Sequence, residues 1–138
     1  MVVQCGAAPE LMRILGDAFV EKWRGRMINI HPALLPAFKG AKVHERVIES
    51  GVKLSGCTVH FVTPQMDSGP VIAQAAVPVH AADTAGTLAA RVLAAEHRLY
   101  PLALRLVAGG IVRLENGRAV FSDYQSTEEM LINPAAIP

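Results

Sequence analysis

The chain carries almost no net charge: 13 Lys and Arg stand against 12 Asp and Glu, leaving +1 over 138 residues. No basic run and no interleaving of aromatic with basic residues stands out. That removes the electrostatic footprint that nucleic acid or an anionic membrane surface would require, so neither is expected as a partner. Cysteine is scarce as well. Cys5 and Cys57 lie far apart and form no metal-spaced cluster, so they read as buried thiols of a reducing compartment, with a single bridge as the alternative. No charged start leads into a long apolar run, so neither a signal peptide nor a membrane span is expected, and the cytoplasm is the expected location. A Gly-x-Gly-x-x-Gly motif, a phosphate loop, an internal repeat and a low-complexity segment are all lacking too.

What is present is a packed α/β pattern. Hydrophobic residues make up 51% of the chain, enough for one domain with a modest core. Val2 to Cys5 reads as a strand, Gly6 to Pro9 as a loop, and Asp17 as the N-cap of a short helix ending at Gly25. Met27 to Ile30 reads as a buried strand. The proline-bounded stretch from Pro32 to Gly40 is a rigid loop, with Leu34 and Leu35 suited to plug the space under the sheet edge. A helix is expected from Ala41 to Ser50, closed by Gly51. Ser55 to Thr63 and Pro70 to Val79 are β-rich runs whose short connection makes them an antiparallel hairpin. Asp83-Thr84 opens the longest helix, with Leu88, Val92, Leu99, Leu102 and Leu106 at helical spacing and Pro101 expected to kink or interrupt it. A small hairpin turns over Asn116-Gly117. The domain is expected to span residues 1–121, followed by a loosely held tail over 122–138.

The chemistry concentrates in two places. Asn29 and His31 lie at i and i+2, so at the end of a strand both point to one face, and Pro32 marks the strand's exit. Asp67, in Asp67-Ser68-Gly69-Pro70, follows another apolar strand, so an amide, an imidazole and a carboxylate are expected to meet at one sheet edge. Asn29 offers N–H donors to an oxygen that becomes negative, His31 carries a proton near neutral pH, and Asp67 favours its imidazolium form. No Ser or Cys adjoins the pair, so direct attack by an amine or by water is the simpler acyl-transfer route. The bland readings are a structural histidine and an ordinary Asp turn. His44, His60, His80 and His97 could join His31 around a metal, but their spacing lacks a known pair pattern, so no metal is expected.

Several segments in order carry a resemblance. They are Met12-Arg13-Ile14-Leu15, then Ile28-Asn29-Ile30-His31-Pro32-Ala33-Leu34-Leu35-Pro36, then Gly56-Cys57-Thr58-Val59-His60-Phe61-Val62. Met66-Asp67-Ser68-Gly69-Pro70-Val71-Ile72-Ala73-Gln74 follows, with a later match from Thr87 to Pro101. From about Leu11 to Val120 the chain resembles the phosphoribosylglycinamide formyltransferase family. The resemblance implies a three-layer α/β/α formyltransferase-like fold with a mixed sheet. It also implies transfer of formyl from 10-formyltetrahydrofolate, as co-substrate, to the amine of glycinamide ribonucleotide in purine synthesis.

It further implies roles for residues. Asn29 binds the formyl oxygen, His31 donates or relays the proton, and Asp67 tunes His31 and positions a water. Met12, Arg13, Ile14 and Leu15, with Thr63, Pro64, Gln65, Met66 and Asp67, correspond to the folate pocket. Glu96 and Pro32 correspond to substrate contacts, and His60 to a partner near Asp67. The family is longer at its N-terminus, where a glycine-rich loop grips the substrate phosphate. This chain is therefore expected to be the folate-binding and catalytic part without its Rossmann-like first half. Its first strand would be an exposed edge, open to self-association or to a partner fragment. The alternatives are a 10-formyltetrahydrofolate hydrolase, which Phe38-Lys39-Gly40-Ala41-Lys42 would suit, and an inactive folate-binding fragment. His31-Pro32 and the stretch from Glu96 to Pro101 favour the transferase. A methionyl-tRNA formyltransferase would carry a His-Gly pair and an RNA-binding domain.

Overall fold

A computed structural model describes residues 2–3 and 9–135, with the backbone alone for residues 2–3 and 9–14. The expectations for Cys5 and the loop after it fall outside the described residues. In chain order the elements are β1 (Val2–Val3), α1 (Pro9–Lys22), β2 (Met27–His31), α2 (Val43–Ser50) and β3 (Leu54–Phe61). Then come β4 (Val71–Pro78), α3 (Ala85–Ala108), β5 (Val112–Glu115) and β6 (Arg118–Phe121).

The main sheet runs β1-β2-β3-β4 and is mixed, since β1 pairs parallel with β2 while β2–β3 and β3–β4 are antiparallel. Strand alternation gives it two unlike faces. Ile28, Ile30, Cys57, Val59 and Phe61 join Val43 and Val47 of α2 and Leu88, Val92 and Leu99 of α3 in the main core. On the opposite face Met27 and Val62 pack against Val20 of α1. The helices therefore form a layer on each side of the sheet. The same second face carries Asn29, His31, Thr58 and His60, all at most 6% exposed.

Local chemistry sets most boundaries. α3 starts with a capping box in which the Thr84 hydroxyl accepts the Thr87 amide and the Thr87 hydroxyl accepts the Thr84 amide. Asp83 also accepts the Thr87 hydroxyl at 2.8 Å, the His80 amide at 2.7 Å and Arg91 Nη1 at 2.7 Å. Arg91 reaches on to the Pro78 carbonyl, tying the end of β4 to α3. The β5–β6 turn places Asn116 at φ 50° and Gly117 at φ 74°, the left-handed pair a two-residue hairpin requires.

Three expectations need correction. A helical segment from Pro9, which was not expected, precedes Gly16; that residue, at φ 69° and ψ 158°, breaks the element, and the expected short helix lies after it and ends at Lys22. Pro suits a first helical position because its missing N–H would be unpaired there in any case. α3 is not interrupted at Pro101, since burial of Leu99 and Ala103 holds both halves on the sheet. Leu102 is 42% exposed, and Ala103 takes the buried position instead. The tail stays exposed from Ser122 to Ile132, then Asn133 donates to the Lys53 and Val79 carbonyls at 2.8 Å each.

Candidate active site

β2 ends at His31 and β3 at Phe61, and the loops leaving them face each other across a cleft of about 490 Å³. Asn29, His31 and Pro32 line it from β2's exit, and Thr63, Gln65, Met66 and Asp67 line it from the β3–β4 connection. Val92, Leu93 and Glu96 of α3 complete an apolar wall with one carboxyl group.

His31 and Asp67 form the centre. His31 Nδ1 lies 3.5 Å from Asp67 Oδ1, with both side chains under a tenth exposed. His31 Nε2 donates to the Phe38 carbonyl at 2.8 Å. Both ring nitrogens thus face oxygen atoms, which fixes the orientation of the ring. Asp67 sits at φ 51°, and its Oδ2 accepts the Gly40 amide at 2.9 Å. One loop therefore supplies the acceptor for His31 and the donor for Asp67, two residues apart.

That loop is held from several sides. Lys39 Nζ donates to the Ser68 hydroxyl at 3.0 Å, stitching it to the Asp67 loop. Arg46 of α2 donates to the Lys39 and Ala41 carbonyls and lies over the Phe38 ring, 5.9 Å from its centroid. Leu35 is buried, and Leu34 packs on Gly56, where a Cβ would collide with the Ala75 carbonyl. Gly69 lets the Asp67 loop close onto β3, because a Cβ at Gly69 would collide with the Phe61 carbonyl.

Asn29 is 6% exposed, and its Oδ1 is buried without a hydrogen-bond partner among the described residues. His60 donates from Nδ1 to the Phe61 carbonyl at 2.9 Å, leaving Nε2 buried and without a partner among the described residues. Burial pushes the His60 imidazole below its ordinary range, against the Phe61 carbonyl and the Asp67 charge, with His31 adding to the lowering. His44, also lining the cleft, is lowered mainly by burial, and Glu96 is raised by burial. Among the described residues, no group of three or more His, Cys, Asp or Glu is placed to hold a metal.

The anticipated residues do not all converge. Pro64 lines a neighbouring groove rather than this cleft. Leu15 packs against Val20, Met27 and Val62, of which Val62 lines the cleft, and the side chains of Met12, Arg13 and Ile14 are outside the described residues. The Phe38 carbonyl and the Gly40 amide were missed, because a backbone group leaves no mark in residue type. Glycine at position 40 (φ 87°) was the one available signal.

A carboxamide, an imidazole and a carboxylate meeting at a strand exit define a site fitted to acyl-group chemistry. The family is more specific: the chain belongs to the formyl transferase family, whose model matches residues 3–104. It is 58% identical over 108 residues to the trifunctional purine biosynthetic protein adenosine-3 of Bos taurus, covering 78% of this chain and 11% of that protein. The crystal structure of phosphoribosylglycinamide formyltransferase from Anaplasma phagocytophilum matches with TM-score 0.76 and 45% identity, over 81% of this chain and 55% of that one. A formyltetrahydrofolate deformylase from Pseudomonas syringae matches with TM-score 0.73 and 27% identity, over 83% and 44%. The chain thus spans about a tenth of the trifunctional relative and about half of the solved formyltransferase.

Proposed function

We propose that this site transfers a formyl group from 10-formyltetrahydrofolate to the amine of glycinamide ribonucleotide. The observation that carries the reading is the buried His31–Asp67 pair beside Asn29 in one cleft. The substrate amine attacks the formyl carbon, forming a C–N bond and placing negative charge on the formyl oxygen. The Asn29 amide donates to that oxygen as the charge develops. Collapse breaks the bond to N10 of the folate, and a proton lost by the amine is replaced on N10 through His31. Asp67 faces the imidazolium and keeps its charge compensated, while the Phe38 carbonyl fixes the ring's orientation. Thr63, Gln65 and Met66 are the folate-side wall, and Glu96 with Pro32 the nucleotide side.

Water in place of the amine gives a second reading, a folate hydrolase, which the likeness to the deformylase supports. The higher identity to the transferases favours the first. The test follows folate product with and without glycinamide ribonucleotide, beside His31→Ala. Turnover that needs the nucleotide and disappears in the variant supports the transferase. Turnover indifferent to the nucleotide supports the hydrolase, and none from a folded chain that binds folate counts against both.

A further inference from the structure

We propose that Thr58 and Gln74, neither of which lines the cleft, are positioning residues for His31. In its contribution to turnover the inference rests on the function proposed above. Its geometry does not.

The Thr58 hydroxyl, fully buried on β3, uses its whole hydrogen-bonding capacity. It donates to the Ala33 carbonyl at 2.7 Å and accepts the Leu35 amide and Gln74 Nε2, each at 3.0 Å. Gln74, opposite it on β4, also donates from Nε2 to the Leu35 carbonyl at 3.0 Å. These four bonds clamp the first turn after His31 onto two strands. From Leu35 the chain needs only three residues to reach Phe38, braced on the way by the Ala37 amide donating to the Leu34 carbonyl at 3.0 Å.

Phe38 sits at φ 55°, a conformation a bulky side chain holds only where its surroundings impose it. Its carbonyl is the acceptor for His31 Nε2, and the Gly40 amide just beyond it is a donor to Asp67. The clamp thereby fixes where both backbone groups stand. A catalytic ring must be held within about 0.5 Å of its productive place, and misplacement by about 1 Å can cost on the order of a hundredfold in rate. A purely structural role for the clamp predicts lower stability and nothing more.

The test uses the full chain with Gln74→Met, Thr58→Val and Thr58→Ser, the last keeping the hydroxyl. Two readouts are taken: the imidazole ¹H and ¹⁵N resonances of His31 without ligand, and kcat separately from KM for the folate. In Gln74→Met and Thr58→Val the His31 Nε2–H signal shifts or exchanges faster. In both, kcat falls by about tenfold while KM changes by less than about twofold. Thr58→Ser keeps the wild-type values. A folded Gln74→Met with unchanged His31 resonances and unchanged kcat overturns the proposal. If Thr58→Val does not fold, Gln74→Met decides by the same criterion. Should the wild type show no formyl transfer, the function reading fails alone, and the His31 resonances in Gln74→Met still decide the positioning.

Discussion

Asn29 and His60 are direct partners across β2 and β3, and each buries an acceptor atom, Oδ1 and Nε2, that no donor among the described residues meets. A buried acceptor left unpaired costs about 1–3 kcal/mol, so this pairing works against stability. Replacing Asn29 by a leucine of similar size removes one such cost. Asn29→Leu is expected to melt higher than the wild type while turnover falls by about 10²–10³-fold, the usual loss on deleting an oxyanion donor. Thermal melting and formyl-transfer rates on one preparation check both halves.

Removing the proton carrier is a different kind of loss. His31→Ala is expected to lower kcat by about 10²–10⁴-fold with folate binding retained, since Asp67 keeps the Gly40 amide and Phe38 keeps its contact with Arg46. Asp67→Asn keeps an oxygen for the Gly40 amide but loses the charge facing His31, so kcat falls while urea stability changes little. Fluorescence titration with folate, read beside kcat, separates these effects from misfolding.

The acid limb of stability follows from two sets of groups. Burial lowers His60 and His44 below their ordinary range, so the unfolded chain binds more protons as pH falls below about 6.5, and stability declines through that window. Arg91 lowers Asp83 well below the usual carboxylate range, so its contribution is complete above about pH 4 and is lost as pH falls further. Urea midpoints measured from pH 8 to pH 3 are expected to fall in both windows. His60→Gln flattens the upper window, and Asp83→Asn the lower.

Gly69→Ala tests the close approach of the Asp67 loop to β3. The added methyl meets the Phe61 carbonyl, which is backbone and cannot turn aside. A loss of about 1–3 kcal/mol is expected, as for other overpacked sites, with a lowered kcat because Asp67 moves with the loop. Denaturant unfolding and kcat of the variant give the two values.

Strands, hairpins and the start of α3 were legible because each has a local cause: alternation, an Asn-Gly turn, a Thr84–Thr87 capping pair. Asn29 and His31 were legible because two residues along a strand share a face whatever the fold. The helix from Pro9 was not, since Leu11 to Leu15 is too short a run to show a period. Pro101 misled because local breaking power lost to burial of Leu99 and Ala103 on either side of it. The clamp of Thr58 and Gln74 was hidden for another reason: its partners are backbone atoms of a loop 23 or more positions away from either residue. Sequence shows polar residues in apolar strands there, but not what they hold.

The two faces of the sheet make β2 unusually sensitive to one kind of genetic change. Substitutions along it sort by parity: Ile28 and Ile30 answer to packing, though Ile30 also borders the cleft, and Asn29 and His31 answer to chemistry. Inserting or deleting one codon between Met27 and Asn29 would exchange the two faces at a stroke, taking the isoleucines out of the core and turning an imidazole into it. A library screened for folding alone should therefore recover many point variants of this strand and almost no frame-preserving single-codon indels, whereas the exposed stretch from Ser122 to Ile132 should accept both.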